Sequence, residues 1–197
     1  MNRAVFLDRD GVINRKLPEG QYVTTWGKMH FLPDVARAIA LLNRAGFRVI
    51  VVSNQRCVAK GLVGAGSLEA IHQRMREELE AAGARIDEIY YCPHEKHPAC
   101  ACRKPAPGML LAAALAHHID LTASWMIGDS DVDMQAGKNA GCRTARILSD
   151  NESATQPSDI LGRSLLEIVD KLLKWAVPAS DSSKRLLHGL ASQKSEA

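Results

Sequence analysis

The stretch Ala4-Val5-Phe6-Leu7-Asp8-Arg9-Asp10-Gly11-Val12-Ile13-Asn14 decides the reading of this chain. Its apolar half has the length of a buried strand, and two carboxylates one residue apart follow it. Open α/β sheets bind ligands in the crevice beyond the carboxyl ends of their strands. Asp8 then falls at a strand end and Asp10 on the loop behind it. A carboxylate placed there serves as a nucleophile, a metal ligand, or both. The same residues elsewhere would only cap a turn, so the rest of the chain has to choose.

Outward from this stretch, strands and helices alternate. Strand patterns cover 4–8, 47–53, 87–92, 124–128 and 143–148. Helical patterns lie between and after them. Residues 34–45 put Val35, Ala38, Ile39 and Leu42 on one face, with Gly46 as a stop. Residues 67–82 open on Ser67 as an N-cap and close at Gly83. Residues 107–118 begin with Pro107 in the first turn. Further helices are expected over 131–140 and 163–175. This alternation predicts an α/β fold: a doubly wound, mostly parallel sheet with helices on both faces. Residues 11–33 lack periodicity, and a gap that long carries function or small elements of its own. Residues 149–162 read as a polar loop, and 178–197, rich in Ser, Lys and Ala, as a flexible tail.

Composition sets the outer bounds. A chain of 197 residues, 46% hydrophobic and 24% charged, is ordinary for one globular domain. No apolar run approaches the roughly 20 residues of a membrane span. Asp8, Arg9 and Asp10 interrupt the N-terminus too early for a signal-peptide core, so the cytoplasm is expected. A net charge of +3 argues weakly against a nucleic-acid binder, which carries a strongly basic face. A small anionic substrate, no nucleic-acid or membrane partner, and a monomer are the expectations.

Four polar segments fall near strand ends: Asp8-Arg-Asp10-Gly11, Ser53-Asn54-Gln55, Arg103-Lys104-Pro105 and Gly128-Asp129-Ser130-Asp131-Val132-Asp133. Asp8, Asp10 and Asp129 are hard oxygen donors that suit Mg²⁺. Ser53 and its neighbouring N–H groups can hold phosphate oxygens. Lys104 offers a point charge and Arg103 a planar fork. Phosphoryl transfer needs a nucleophile, charge neutralisation and a proton donor for the leaving oxygen. Each has a candidate here.

In their order, these segments resemble the motifs of the haloacid dehalogenase superfamily of phosphatases, over about residues 3–148. Phe6–Asn14, Ser53–Gln55, Tyr90–His94 and Cys100–Met109 resemble the branch holding the heptose 1,7-bisphosphate and histidinol-phosphate phosphatases. The resemblance implies a single phosphatase domain over 1–177 with no large cap. It implies Asp8 as nucleophile and Asp10 as general acid/base. Mg²⁺ would be held by Asp8, Asp129 and the Asp10 carbonyl. Ser53 and Lys104 would hold the phosphoryl group, with Asn54 and Arg103 assisting. The implied reaction removes the 7-phosphate of a heptose bisphosphate, in the synthesis of activated heptose for lipopolysaccharide, capsule or S-layer glycans. Histidinol phosphate is the alternative substrate, and a catalytically idle, zinc-stabilised binding module is the alternative of another class.

Cys92-x-His94 and Cys100-x-Cys102 supply four ligands, enough for a closed tetrahedral Zn²⁺ site. The branch carries the same arrangement, and the site would pin the loop that delivers Arg103 and Lys104. His97 reads as a surface residue, and Cys57 and Cys142 as buried ones. Two departures stand out. Arg56-Cys57 replaces the usual Ser-Gly after Asn-Gln, which makes Arg56 a candidate for a second phosphate or a sugar hydroxyl. Ser130 stands where the heptose branch has lysine. Substrate choice is expected to rest on loops 15–30 and 56–66.

Overall fold

The computed structural model describes residues 1–149 and 156–175. The expected tail at 178–197 lies outside the described residues. Five parallel pairings order six strands as β3-β2-β1-β4-β5-β6. They are β1 (Ala4–Leu7), β2 (Arg48–Asn54), β3 (Glu88–Cys92), β4 (Trp125–Gly128), β5 (Arg143–Ile147) and β6 (Ile160–Gly162). Among the described residues five helices accompany them: α1 (Val35–Arg44), α2 (Ala65–Ala81), α3 (Gly108–His117), α4 (Asp131–Ala140) and α5 (Leu165–Trp175).

The period-2 alternation of β1 sorts its side chains between two cores. Val5 and Leu7 join Val49 and Val51 of β2 under α1, α2 and α5, where Ile39, Leu42, Met75, Ile168 and Leu172 are buried. Ala4 and Phe6 join Ile50, Val52 and Met126 on the opposite face, under Leu110 and Ala113 of α3 and Ala136 of α4. Each fully buried large apolar side chain contributes about 1.5–3 kcal/mol. A one-residue slip of β1 would exchange the two sets.

The chain runs outward from β1 to β3, then returns to place β4 on the other side of β1. The connections therefore diverge between β1 and β4, and this switch point opens a crevice at the carboxyl edge. Asp8 and Asp129 stand on either side of it.

Three local expectations need correction. The loop expected over 149–162 contains β6, three residues paired to β5, too short for an alternation signal to emerge from polar flanks. Helix α2 starts at Ala65 behind Gly64, so Ser67 is an exposed first-turn residue rather than the N-cap. Pro107 is itself the residue before α3. The aperiodic 11–33 segment does carry a small element, a 3-10 turn at Trp26–Lys28.

Candidate active site

Backbone bonding beyond β1 builds the first wall. The Asp8 N–H donates to Ile127 O of β4 at 3.0 Å, which ties the site to the switch point. The chain then folds tightly: the Arg9 carbonyl accepts from Ile13 and Asn14 at 2.8 and 3.1 Å. This return brings Asn14 Nδ2 within 2.8 Å of Asp10 Oδ1. Gly11 turns with φ +88°, and a Cβ there would lie 2.2 Å from Asp129 Oδ2. Only glycine lets the Asp129 carboxylate come so close.

Asp10 is held from three sides. Arg9 Nη2 donates to both of its oxygens, at 3.0 and 2.9 Å, and Gln55 Nε2 to Oδ2 at 3.2 Å. Burial pushes the Asp10 carboxyl up, but Arg9 and the hydrogen bonds from Asn14 and Gln55 outweigh it, and its pKa falls below the usual carboxylate value. Arg9 is itself 1% exposed, and its Nη1 lies 3.0 Å from His72 Nε2. A guanidinium only donates, so His72 Nε2 must be the bare acceptor.

Asp8 faces a different environment. Lys104 Nζ lies 2.9 Å from Asp8 Oδ1 and 2.6 Å from Asp133 Oδ1, and donates to Val52 O at 2.8 Å. Burial pushes Asp8 up to about 7; Lys104 opposes the shift, while Asp133, Asp129 and Asp10 add to it. The same two carboxylates outweigh desolvation at Lys104 and raise its pKa. Asp133 is wholly buried and also accepts from the N–H and hydroxyl of Ser130, closing a capping box at the start of α4. Gly128 makes room for it, since a Cβ there would meet Asp133 Cβ at 2.2 Å.

Asp8, Asp129 and Asp133 each offer an oxygen within 4.8 Å of the others. An all-oxygen set of this kind fits Mg²⁺. The Asp10 carboxylate is taken by Arg9, which leaves its carbonyl as the contribution expected of it. Lys16 Nζ lies 2.7 Å from Asp129 Oδ2.

Around these groups lies a pocket of about 760 Å³. Ser53, Asn54, Arg103 and Lys104 reach its wall, together with residues 16–23 and Lys96, His97, Ala99 and Cys100. Ser53 Oγ accepts from Gln55 Nε2 at 2.8 Å, which leaves its hydroxyl hydrogen to donate. Asn54 spends both ends of its amide on the backbone of Lys104, at 3.0 and 3.1 Å. Arg56 is not on the wall: it donates to the Tyr22 hydroxyl at 3.0 Å and pairs with Glu95 at 3.6 Å. Loop 56–66 supplies no lining residue. The second wall comes instead from the segment between His94 and Lys104.

That segment carries the Cys/His cluster. Cys92 Sγ lies 3.2 Å from Cys102 Sγ and 3.6 Å from Cys100 Sγ, and Cys100 lies 3.5 Å from Cys102. His94 Nδ1 is 3.2 Å from Cys102 Sγ and 3.5 Å from Cys92 Sγ. A tetrahedron with Zn–S bonds of about 2.3 Å has S–S edges of about 3.8 Å, so the four atoms fit that ion closely. Cys102 is pushed up to about 12 by burial and by the neighbouring thiols, a crowding that a dication relieves. The loop also leans on α3, where a Cβ at Gly108 would meet Ala101 O at 2.2 Å. Arg103 Nη1 donates back to His94 O at 3.1 Å. His97 is exposed, and Cys57 and Cys142 are buried.

The four motif segments thus converge, but Lys16, Arg9, His72 and Gln55 were not assigned roles from sequence. Arg9 and Gln55 lie inside two of the quoted motifs and Lys16 in the loop expected to govern substrate choice, whereas His72 gave no signal.

Comparison with known proteins agrees with this geometry. A HAD-hydrolase-like family model matches residues 101–173. The chain is 43% identical over 145 residues to the D-glycero-beta-D-manno-heptose-1,7-bisphosphate 7-phosphatase of Rhodopseudomonas palustris, covering 70% of this chain and 79% of that one. It is 35% identical over 187 residues to the enzyme of the same name from Escherichia coli, covering 89% and 96%. The crystal structure of the D,D-heptose 1,7-bisphosphate phosphatase of B. bronchiseptica, complexed with magnesium and phosphate, superposes with a TM-score of 0.81 at 33% identity, covering 88% of this chain and 99% of that one. A six-stranded parallel sheet, an Asp8–Lys104–Asp133 cluster at its switch point and these relatives lead to one conclusion: the chain belongs to the haloacid dehalogenase-like phosphatases, in the family of the heptose 1,7-bisphosphate 7-phosphatases.

Proposed function

We propose that this protein removes the 7-phosphate of D-glycero-β-D-manno-heptose 1,7-bisphosphate in the cytoplasm, as a monomer, and so serves the synthesis of activated heptose. The observation that carries the reading is the Lys104 ammonium 2.9 Å from Asp8 Oδ1, at the wall of a pocket that also exposes Asp10, Ser53 and Asp129. That pocket, of about 760 Å³, has the volume for a sugar bisphosphate.

In this reading an Asp8 oxygen attacks phosphorus and forms an acyl phosphate, and the bond to the sugar oxygen breaks. Asp10 gives that oxygen its proton. Arg9, Asn14 and Gln55 favour the carboxylate form of Asp10, and the incoming phosphate dianion restores its affinity for the proton. Asp10 then takes a proton from water, the water oxygen attacks the acyl phosphate, and inorganic phosphate leaves with Asp8 regenerated. Lys104 and Ser53 hold the phosphoryl oxygens throughout. Mg²⁺ held by Asp8, Asp129 and the Asp10 carbonyl, beside Asp133, offsets the repulsion between the carboxylates and the phosphate dianion. Cys92, His94, Cys100 and Cys102 would hold a Zn²⁺ ion, whose part would be to fix the loop that carries Arg103 and Lys104.

The test is phosphate release, with Mg²⁺, from both heptose bisphosphate anomers, histidinol phosphate and fructose 1,6-bisphosphate. The β-anomer is expected to be preferred. Preference for histidinol phosphate would overturn the substrate, and no turnover of any would overturn the enzyme. Asp8→Asn is expected to lose at least about 10³-fold in kcat, because an amide forms no acyl phosphate.

A further inference from the structure

Lys16 lies on the segment that follows the Asp8–Asn14 turn, and its side chain crosses the site to Asp129. The ammonium sits 2.7 Å from Asp129 Oδ2, with the lysine side chain 56% exposed and the aspartate 13% exposed. Its base is fixed, because the neighbouring Arg15 N–H donates to His30 O at 2.8 Å. Its far end is free to move, since a lysine chain has four rotatable carbons and one point charge. Asp129 is one of the three carboxylates that fit a divalent cation. Position 130 supplies no competing cation, because it is a serine, whose neutral hydroxyl donates to Asp133.

Charge balance explains the arrangement. Asp8, Asp129 and Asp133 face one buried ammonium, that of Lys104. Without a metal, Lys16 is the cation that offsets the remaining repulsion. A divalent ion at the same carboxylates does so better, since it carries twice the charge and bonds several oxygens at once. The ammonium, no longer needed at Asp129, stays tethered at the wall of the pocket. With the metal present the cluster becomes net positive, and the nearest anion to answer it is the substrate.

We propose that Lys16 is a tethered counter-cation: it occupies Asp129 in the metal-free protein, Mg²⁺ displaces it, and the released ammonium binds the substrate phosphate that is not removed. Its place is that of a specificity residue, supplied by the first loop and not by any of the four motifs. The second half rests on the bisphosphatase reading above, and the first half does not.

Calorimetric titration of the full chain with Mg²⁺ alone tests the first half. Lys16→Met is expected to bind Mg²⁺ about fivefold more tightly than wild type, the worth of a half-exposed ion pair removed from competition. Lys16→Arg, which keeps the charge, is expected to stay within about twofold of wild type. Unchanged or weaker binding in Lys16→Met overturns the proposal, since weaker binding would make Lys16 a support for Asp129 and not its competitor. The second half is read from KM. Lys16→Met is expected to raise KM about tenfold for the heptose bisphosphate, and by less for the same sugar carrying only the phosphate that is removed. Equal effects on both overturn it. If wild type turns over neither sugar while Mg²⁺ binding tightens in Lys16→Met, the function reading fails and the counter-cation stands.

Discussion

Lys104 and Asp133 meet at 2.6 Å with both side chains almost wholly buried. Among the described residues Lys104 is the basic partner of Asp133, and it approaches Asp8 as well. Lys104→Met would leave Asp133 as an uncompensated buried carboxylate. It is expected to cost about 3–5 kcal/mol of stability, read by urea unfolding, and to abolish measurable phosphate release. A variant with wild-type stability would show that the Lys104–Asp133 pair does not stabilise the fold.

Gly11 separates catalytic geometry from folding. With φ +88° and a Cβ that would lie 2.2 Å from Asp129 Oδ2, Gly11→Ala must shift either the turn or the carboxylate. The backbone penalty is about 1–2 kcal/mol, which a domain of this size survives. Activity is expected to fall at least tenfold, because a displacement of about 1 Å at a catalytic group costs up to about 10²-fold. Measuring kcat beside the melting temperature checks both halves.

The cysteine cluster predicts about one Zn²⁺ per chain by elemental analysis. Cys102→Ser is expected to lose the zinc, lower the melting temperature and reduce kcat, because the loop that ends in Lys104 loses its anchor. Wild-type protein treated with a strong chelator should show the same combination. Full activity in a zinc-free protein would confine the cluster to stability alone.

His72 gives a pH dependence with a definite sign. Burial, then the Arg9 charge beside it, lowers its pKa from 6.5 to about 3. A histidine lowered in the folded state is held neutral there, so between those values the unfolded chain binds more protons. The stability it contributes is complete above pH 6.5 and is lost as the pH falls toward 3, at up to about 1.4 kcal/mol per unit. Asp8, raised to about 7 mainly by burial, drifts the opposite way over pH 4–7. The His72 contribution is therefore read as the difference between wild type and His72→Gln. That difference is expected to turn against wild type with falling pH below 6.5; a pH-independent difference would show that His72 is not held neutral.

Among the described residues, five of the six strands and all five helices were legible because their signals are local. Val5 and Leu7 alternate with Ala4 and Phe6, and the apolar run at 49–52 has strand length. The β6 strand was not legible, since three residues among polar neighbours acquire strand character only by pairing with β5. At the site, Asp8, Asp10, Ser53 and Asp129 could be proposed because each closes or follows an apolar strand, and Lys104 because it stands before Pro105 and a helix in the order of the four segments. The expectation for Arg56 shows the opposite case. Its position after Ser53-Asn54 suggested a phosphate contact, but Tyr22 and Glu95, from two distant loops, take its guanidinium.

The sequence by itself determined the alternating strands and helices, the two carboxylates at the first strand end, and the residue types of the two clusters that could hold a metal ion. These rest on hydrophobic period and side-chain chemistry, which operate over a few neighbouring residues. Only the tertiary structure decided who offsets whom. Lys104 crosses to Asp8 and Asp133, Arg9 turns back on Asp10 with His72 behind it, and Lys16 reaches Asp129. Electrostatic partnership depends on distance and burial after folding, and residues 113 positions apart, such as Lys16 and Asp129, share no local pattern that announces it.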